Sequence, residues 1–254
     1  MTKQERYRGL IEWFSENMPS PRTELEYDSP FHLLLAVILS AQCTDKRVNI
    51  VTPPLFEAYP DPSSLAAAKE EEVYEYIKSV TFPNNKTRHL IKAAKTLVEE
   101  FEGSMPSDID GLMKLPGVGR KTANVMLAVV WDQAAMAVDT HVFRVSNRIG
   151  LTDNSKSPLS TEKTLVKYFP EDLLAKAHHW LILHGRYVCK ARNPECETCG
   201  IKEFCKTFTK TGGKVTSQKK PVSKAKTASK SKAAPKTKES PKKKTTSKAQ
   251  RSIN

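Results

Sequence analysis

The chain has 254 residues and a formal net charge of +13, but that charge is confined to one end. Residues 210–254 hold fourteen Lys, one Arg and one Glu, so residues 1–209 are near neutral, with 26 basic against 27 acidic side chains. No apolar run approaches the ~20 residues that span a bilayer, and the first residues lack the apolar core of a secretory signal, so neither a membrane span nor secretion is expected.

The near-neutral body is long enough to bury a sizeable core and reads as helix nearly throughout. Leu10, Ile11, Phe14 and Met18 recur at helical spacing until Pro19 and Pro21 break the pattern. Phe31 to Leu39 is an unbroken apolar stretch whose Leu content predicts a buried helix. Pro53-Pro54 and the Pro60-Asp-Pro-Ser-Ser turn mark breaks. Ser63 or Ser64 is the expected cap of a helix running to about Ser79, and Asn84 or Asn85 that of the next, with Leu90, Ile91, Ala94, Leu97 and Val98 inside. Further helices are expected over 108–114, 120–131, 140–149, 160–169 and 172–187. With no strand-type alternation and no internal repeat, the fold class is all-α.

Within 108–131 lies Leu115-Pro116-Gly117-Val118-Gly119-Arg120-Lys121-Thr122-Ala123. Pro ends one helix, and the glycines allow a tight turn with close backbone approach. A second helix starting near Arg120 points free N–H groups and its dipole at an anion. Two short helices about such a turn form a helix-hairpin-helix, which grips a nucleic-acid phosphate; an ordinary helix–helix turn has the same outline. Lys121 falls in the first turn of the second helix. A cation there is disfavoured by the dipole, which suits an amine nucleophile; the alternative reading is a plain phosphate-binding lysine.

Asp139 follows an apolar stretch and opens the helix Thr140 to Ile149. It reads as an N-cap and, compatibly, as a carboxylate able to stabilise a developing cation or take a proton. Cys189, Cys196, Cys199 and Cys205 then lie within 17 residues of a chain otherwise poor in cysteine. Zinc and an iron–sulfur cluster both take four thiolates, and spacing alone leaves both open. Lys190, Arg192, Lys202 and Lys206 surround these ligands, while Cys43 stands alone and reads as a small core residue. The Lys/Ser/Thr/Ala/Pro tail from about Lys210 is expected to be disordered and to act as an electrostatic arm for nucleic acid or another polyanion.

Taken together, Leu39-Ser-Ala-Gln-Cys-Thr-Asp45, Leu115 to Ala123, Val138 to Arg148, and His178 to Tyr187 leading into the 6-2-5 cysteine spacing resemble the endonuclease III family of the helix-hairpin-helix DNA glycosylase superfamily. The resemblance covers roughly residues 3–209. It implies a two-lobed all-helical body at 1–209, with a lobe of roughly 23–134 carrying the hairpin and a lobe of roughly 1–22 plus 135–209 carrying a [4Fe-4S] loop; residues 210–254 form the tail. It implies a bifunctional DNA glycosylase and AP lyase that removes oxidised pyrimidines. Lys121 would attack the sugar C1′ and form a Schiff base, and Asp139 would assist base departure and proton transfer. Gln42 would fill the gap left by the flipped nucleotide. Phe82, in the Val80 to Lys86 loop, stands where an aliphatic wedge is usual, and Pro83 where an aromatic residue is usual. The residues expected at DNA are Gln42, Phe82, Lys86, His141 and Arg144, together with the hairpin's Pro116, Gly117, Val118, Gly119 and Arg120. Cys189, Cys196, Cys199 and Cys205 would hold the cluster.

The implied partner is double-stranded DNA with damaged pyrimidines or abasic sites. The protein would be a monomer with no membrane partner, cytoplasmic and nucleoid-associated if bacterial. An adenine-specific mismatch glycosylase relative would lack the hairpin lysine, carry a glutamate in the early apolar helix and add a C-terminal recognition domain. A noncatalytic metal-stabilised DNA-binding module would have no use for both Lys121 and Asp139.

Overall fold

The computed structural model describes residues 1–212, which form twelve α-helices and two short 3-10 turns, with no strand among the described residues. Helix α1 (Lys3–Asn17) begins at a reciprocal cap, the Thr2 hydroxyl accepting from the Glu5 N–H and the Glu5 carboxylate from the Thr2 N–H. Two further segments set the interior. Helix α2 (Pro30–Ser40) is capped by Ser29, and every residue from Phe31 to Leu39 is buried. Around it pack α3 (Asp45–Ala58), α4 (Pro62–Ala66), α5 (Glu70–Ile77), α6 (Pro83–Phe101), α7 (Ile109–Lys114) and α8 (Arg120–Trp131).

A second core takes Tyr7, Leu10 and Phe14 from α1 and joins them to side chains of α9 (Thr140–Ile149), α10 (Pro158–Tyr168) and α11 (Leu174–Tyr187). Trp180 is fully buried there, stacked on Phe14, with its indole N–H donating to the Met18 carbonyl. Helix α12 (Lys206–Thr211) and the cysteine loop close this core against α1, where Gly9 lies under the Phe204 ring and Gly200 under Trp13. The chain thus starts in one core, builds the other, and returns. No helix of the described residues is long and apolar enough to cross a membrane.

Four expectations need correction. Pro53 and Pro54 do not end a helix; they lie inside α3, where Val48, Val51, Leu55 and Phe56 are buried on the core face. An interior proline costs about 3 kcal/mol, and that apolar face offsets it. The segment from Ser63 to Ser79 is two helices, the first capped by Asp61 and not by a serine. Helix α6 starts at Pro83, with Phe82 as its left-handed cap residue in place of Asn84 or Asn85. Finally, α12 carries helix through Thr211, past the expected end at 209; the Lys-rich segment from 213 onward lies outside the described residues.

Candidate active site

The hairpin forms as its residues dictate. Helix α7 ends in a turn in which the Val118 N–H donates to the Leu115 carbonyl at 3.0 Å, and Leu115 and Val118 are buried as anchors. Gly117 has φ +86°, and a Cβ there would meet His89 Cβ at 2.9 Å, so conformation and space both demand glycine. Gly119 is extended and exposed, with open space where a Cβ would stand. It caps α8 without a side chain, leaving the first N–H groups of that helix bare for an anion. Pro116 is half-buried beside them.

Arg120 does not extend freely from this turn. Its guanidinium makes a forked pair with Glu162 of α10, Nη2 to Oε1 at 2.7 Å and Nε to the same oxygen at 3.0 Å. Lys121, one residue on, is exposed and lines a recess of about 500 Å³ with Ser40, Asp45, His178, His179 and Arg186. Among the described residues no carboxylate lies within 4.0 Å of its ammonium.

Asp139 caps α9, its Oδ1 accepting from the Val142 N–H at 2.7 Å. The buried lead-in to it, Ala135 to Val138, is held from two sides. Asn124, one turn beyond Lys121 on α8, donates to the Met136 carbonyl at 3.2 Å. His178 of α11 donates from Nδ1 to the Ala137 carbonyl at 2.8 Å. Burial, reinforced by His179 and Lys121, pushes the His178 imidazole down to about 3 against the opposing influence of Asp139, so the ring is neutral and its Nδ1 carries the proton. His178 is therefore close enough to sense the charges of both Lys121 and Asp139. Neither Asn124 nor His178 stood out in the sequence; only His178, heading the His178 to Tyr187 run, carried any signal. In the lining of the recess, Arg186 pairs with Asp45 at 2.5 Å and with Glu24, to which the Tyr187 hydroxyl also donates.

Gln42 and Phe82 stand on two neighbouring turns, both exposed and both left-handed, at φ 55° and 57°. Lys86 is not at the surface: it is 5% exposed and its ammonium donates to the carbonyls of Leu39 and Ala41. Arg144 likewise turns inward, donating to the carbonyls of Gly185 (2.7 Å) and Cys189 (3.1 Å), and burial lowers its pKa. His141 is half-buried with Nδ1 3.3 Å from the Arg144 guanidinium. The α9–α11 crossing is close because residue 185 is glycine; a Cβ there would meet His141 Cβ at 2.9 Å. Lys86 and Arg144, both expected at DNA, thus spend their charge on the inward-facing C-terminal ends of α2 and α11, where free carbonyls await donors.

Cys189, Cys196, Cys199 and Cys205 line a single recess beneath α9 and α11, walled by Ile149, Val188, Ile201 and Phe208. All four are free thiols, and Cys43 lies apart, against the first core. Burial first, and the other cysteines in addition, raise Cys196, Cys199 (to about 11) and Cys205, so thiolates here call for a cation. Among the described residues no three His, Cys, Asp or Glu side chains converge as a single-ion site does. Four thiols lining one recess fit a group held by four thiolates, as an iron–sulfur cluster or a zinc ion is. Arg148 braces the loop, donating to the Lys190 and Ala191 carbonyls and approaching Cys189 Sγ at 3.6 Å. Of the flanking cations, Lys190 pairs with Glu195 and Lys202 bonds the Glu197 carbonyl.

Comparison with known proteins agrees with this geometry. Residues 35–171 match the HhH-GPD superfamily base excision DNA repair protein family, and residues 189–205 match the iron-sulfur binding domain of endonuclease III. Fold and site together define a helix-hairpin-helix protein of base excision repair. Endonuclease III of Rickettsia felis is 50% identical over 199 residues, spanning 78% of this chain and 93% of the relative. That of Escherichia coli K12 is 45% identical over 190 residues, 75% and 90% of the two chains. A structure of a trapped endonuclease III–DNA covalent intermediate superposes with a TM-score of 0.78 at 44% identity, covering 83% of this chain and 98% of the other. The chain belongs to the endonuclease III family of bifunctional DNA glycosylases and AP lyases, with a [4Fe-4S] cluster as cofactor.

Proposed function

We propose that this chain, as a monomer, removes oxidised pyrimidines from duplex DNA and then cleaves the strand. One observation carries the reading: Lys121 opens a polar recess directly behind the bare hairpin N-terminus, with no carboxylate of the described residues within 4.0 Å of its ammonium. The hairpin amides hold a backbone phosphate, and the damaged nucleotide leaves the stack to enter the recess. Gln42 and Phe82 occupy the space it vacates. The Lys121 amine adds to C1′ as the base leaves with its bonding electrons and a proton. The sugar ring then opens to a protonated Schiff base. Loss of a C2′ proton expels the 3′ phosphate by β-elimination, and water finally releases Lys121. Asp139 stabilises the cationic sugar and assists the proton transfers while its other task, capping α9, keeps it from pairing with the amine. Ser40, Asp45, His179 and Arg186 give the recess donors and acceptors suited to a base bearing extra hydroxyl and carbonyl groups.

Cys189, Cys196, Cys199 and Cys205 would hold the cluster. When bound, it supplies a cross-link that fixes the loop against α1 and α9, far in sequence from Lys121.

Borohydride trapping on two duplexes tests the proposal, one with thymine glycol and one with a preformed abasic site. Lys121→Gln should bind DNA but trap on neither, because an amide cannot form a Schiff base. Asp139→Asn should slow base release by about 10²- to 10⁴-fold yet still trap on the abasic duplex. Trapping by Lys121→Gln at the wild-type rate would assign the nucleophile elsewhere.

A further inference from the structure

Lys86 is a lysine buried between the Gln42 and Phe82 turns. Its ammonium donates to the carbonyls of Leu39 and Ala41, both at 2.7 Å. These are the last carbonyls of α2 and its cap, the negative end of that helix. The first precedes, and the second belongs to, the turn in which the Cys43 N–H donates to the Ser40 carbonyl at 3.0 Å, and Gln42 sits at its apex with φ 55°.

The same residue grips the second turn through its backbone. The Lys86 N–H donates to the carbonyl of Phe82, at 3.2 Å. Between the two turns runs one more bond, from the Thr81 hydroxyl to the Gln42 carbonyl at 2.9 Å. Gln42 and Phe82 are thus not independent loop tips. Each holds a left-handed conformation that non-glycine residues seldom adopt, and such conformations persist where surroundings over-determine them. Here those surroundings are Lys86 and Thr81.

Burial lowers the Lys86 pKa, a penalty the two carbonyls offset. An apolar side chain in its place would leave both carbonyls without their donor.

We infer that Lys86 is a positioning residue, locking the Gln42 and Phe82 turns into one rigid two-pronged wedge that enters the stack as a unit. This rests on the wedge role proposed above for Gln42 and Phe82. The consequence is selective. Opening a duplex needs both prongs in register, whereas chemistry on an unpaired strand needs neither.

The test compares Lys86→Met, which keeps the length of the side chain without its charge, with wild type on three readouts. On duplex DNA with thymine glycol, kcat should fall about 10- to 100-fold, as misplacement of a positioning element commonly costs. The fluorescence rise of 2-aminopurine placed beside the lesion, which reports unstacking, should shrink in parallel. Borohydride trapping on a single-stranded abasic oligonucleotide should stay within about twofold, since no stack has to be opened. Should Lys86→Met fail to fold by circular dichroism, Thr81→Val removes only the hydroxyl joining the two turns and should shift the duplex-to-single-strand ratio in the same direction. Equal losses on duplex and single strand, or an unchanged ratio in both variants, would overturn the proposal. Wild-type protein that traps on no abasic DNA would instead overturn the functional reading, and this proposal with it.

Discussion

The place of Lys121 in the first turn of α8 was legible in the sequence because everything that fixes it is local: a proline, two glycines and the start of a helix within seven residues. Asp139 was legible for the same reason, as a capping residue before an amphipathic helix. What sequence could not reveal is who holds them. Asn124 bonds the Met136 carbonyl from 12 residues away, and His178 reaches Ala137 across 41. Long cations misled most: Lys86 and Arg144 read as DNA ligands, yet their heads satisfy buried carbonyls brought near only by folding. Removing such a donor leaves a buried acceptor unpaired, so His178→Ala should destabilise the protein by about 1–3 kcal/mol plus its lost packing. It should also slow base release, while His178→Asn, which can retain a donor, recovers part of both; urea melts and glycosylase assays read the two effects. His178 and His179 add a pH dependence. Folded, burial holds them at about 3 and 4 against an ordinary 6.5. The unfolded chain therefore takes up protons that the folded chain refuses, and stability falls as pH drops below about 6.5. Each histidine contributes a limiting slope of about 1.4 kcal/mol per pH unit, ending near pH 4 for His179 and pH 3 for His178. A flat denaturation midpoint between pH 6.5 and 5 would contradict this.

At the scale of elements, apolar runs were the reliable guide. Nine consecutive buried residues made α2 evident. Boundaries set by polar residues were less so: α3 passes through two prolines because its apolar face outweighs them, and Asp61 competes successfully with Ser63 for a cap. The hairpin glycines separate two requirements that sequence merges. Gly117→Ala must place a Cβ at positive φ and 2.9 Å from His89, and should cost about 1–3 kcal/mol of stability. Gly119→Ala meets no atom, so its stability should change by less than about 1 kcal/mol. Its methyl would stand, however, beside the bare amides proposed to hold a phosphate, and DNA affinity should fall. Thermal melts paired with binding titrations distinguish the two; equal melting temperatures for both variants would refute the distinction.

Across the whole molecule, the two cores are tied by charge. Arg120 of the hairpin helix meets Glu162 of α10, and Arg186 of α11 meets Asp45 and Glu24. The first pair is partly exposed, so Glu162→Gln should cost at most about 1 kcal/mol. Its larger effect should be to release Arg120 towards DNA and tighten nonspecific binding at low salt. Residues 213–254, outside the described residues, hold thirteen Lys and no aromatic side chain to stack on bases. Truncation after Gly212 should flatten the salt dependence of DNA affinity, since each phosphate neutralised contributes a slope of about −0.9, and should spare single-turnover chemistry. An unchanged slope would show that this segment is not an electrostatic arm.

The placement of α1 has a consequence for how the protein is made. Its buried face, Tyr7, Leu10 and Phe14, is completed by residues from Met136 to Ile201. A ribosome presents the N-terminal helix first and its partners last, after the whole first core has emerged. At about 5–20 residues per second, that face waits on the order of ten seconds or more with its apolar side uncovered. The recess proposed as the active site, shared by α8 and α11, cannot close before then, so an incomplete chain should show no lyase activity. Ribosome-stalled chains ending near Leu173 should present α1 to protease while the first core resists cleavage. Equal protection of both would mean that α1 finds a temporary partner during synthesis.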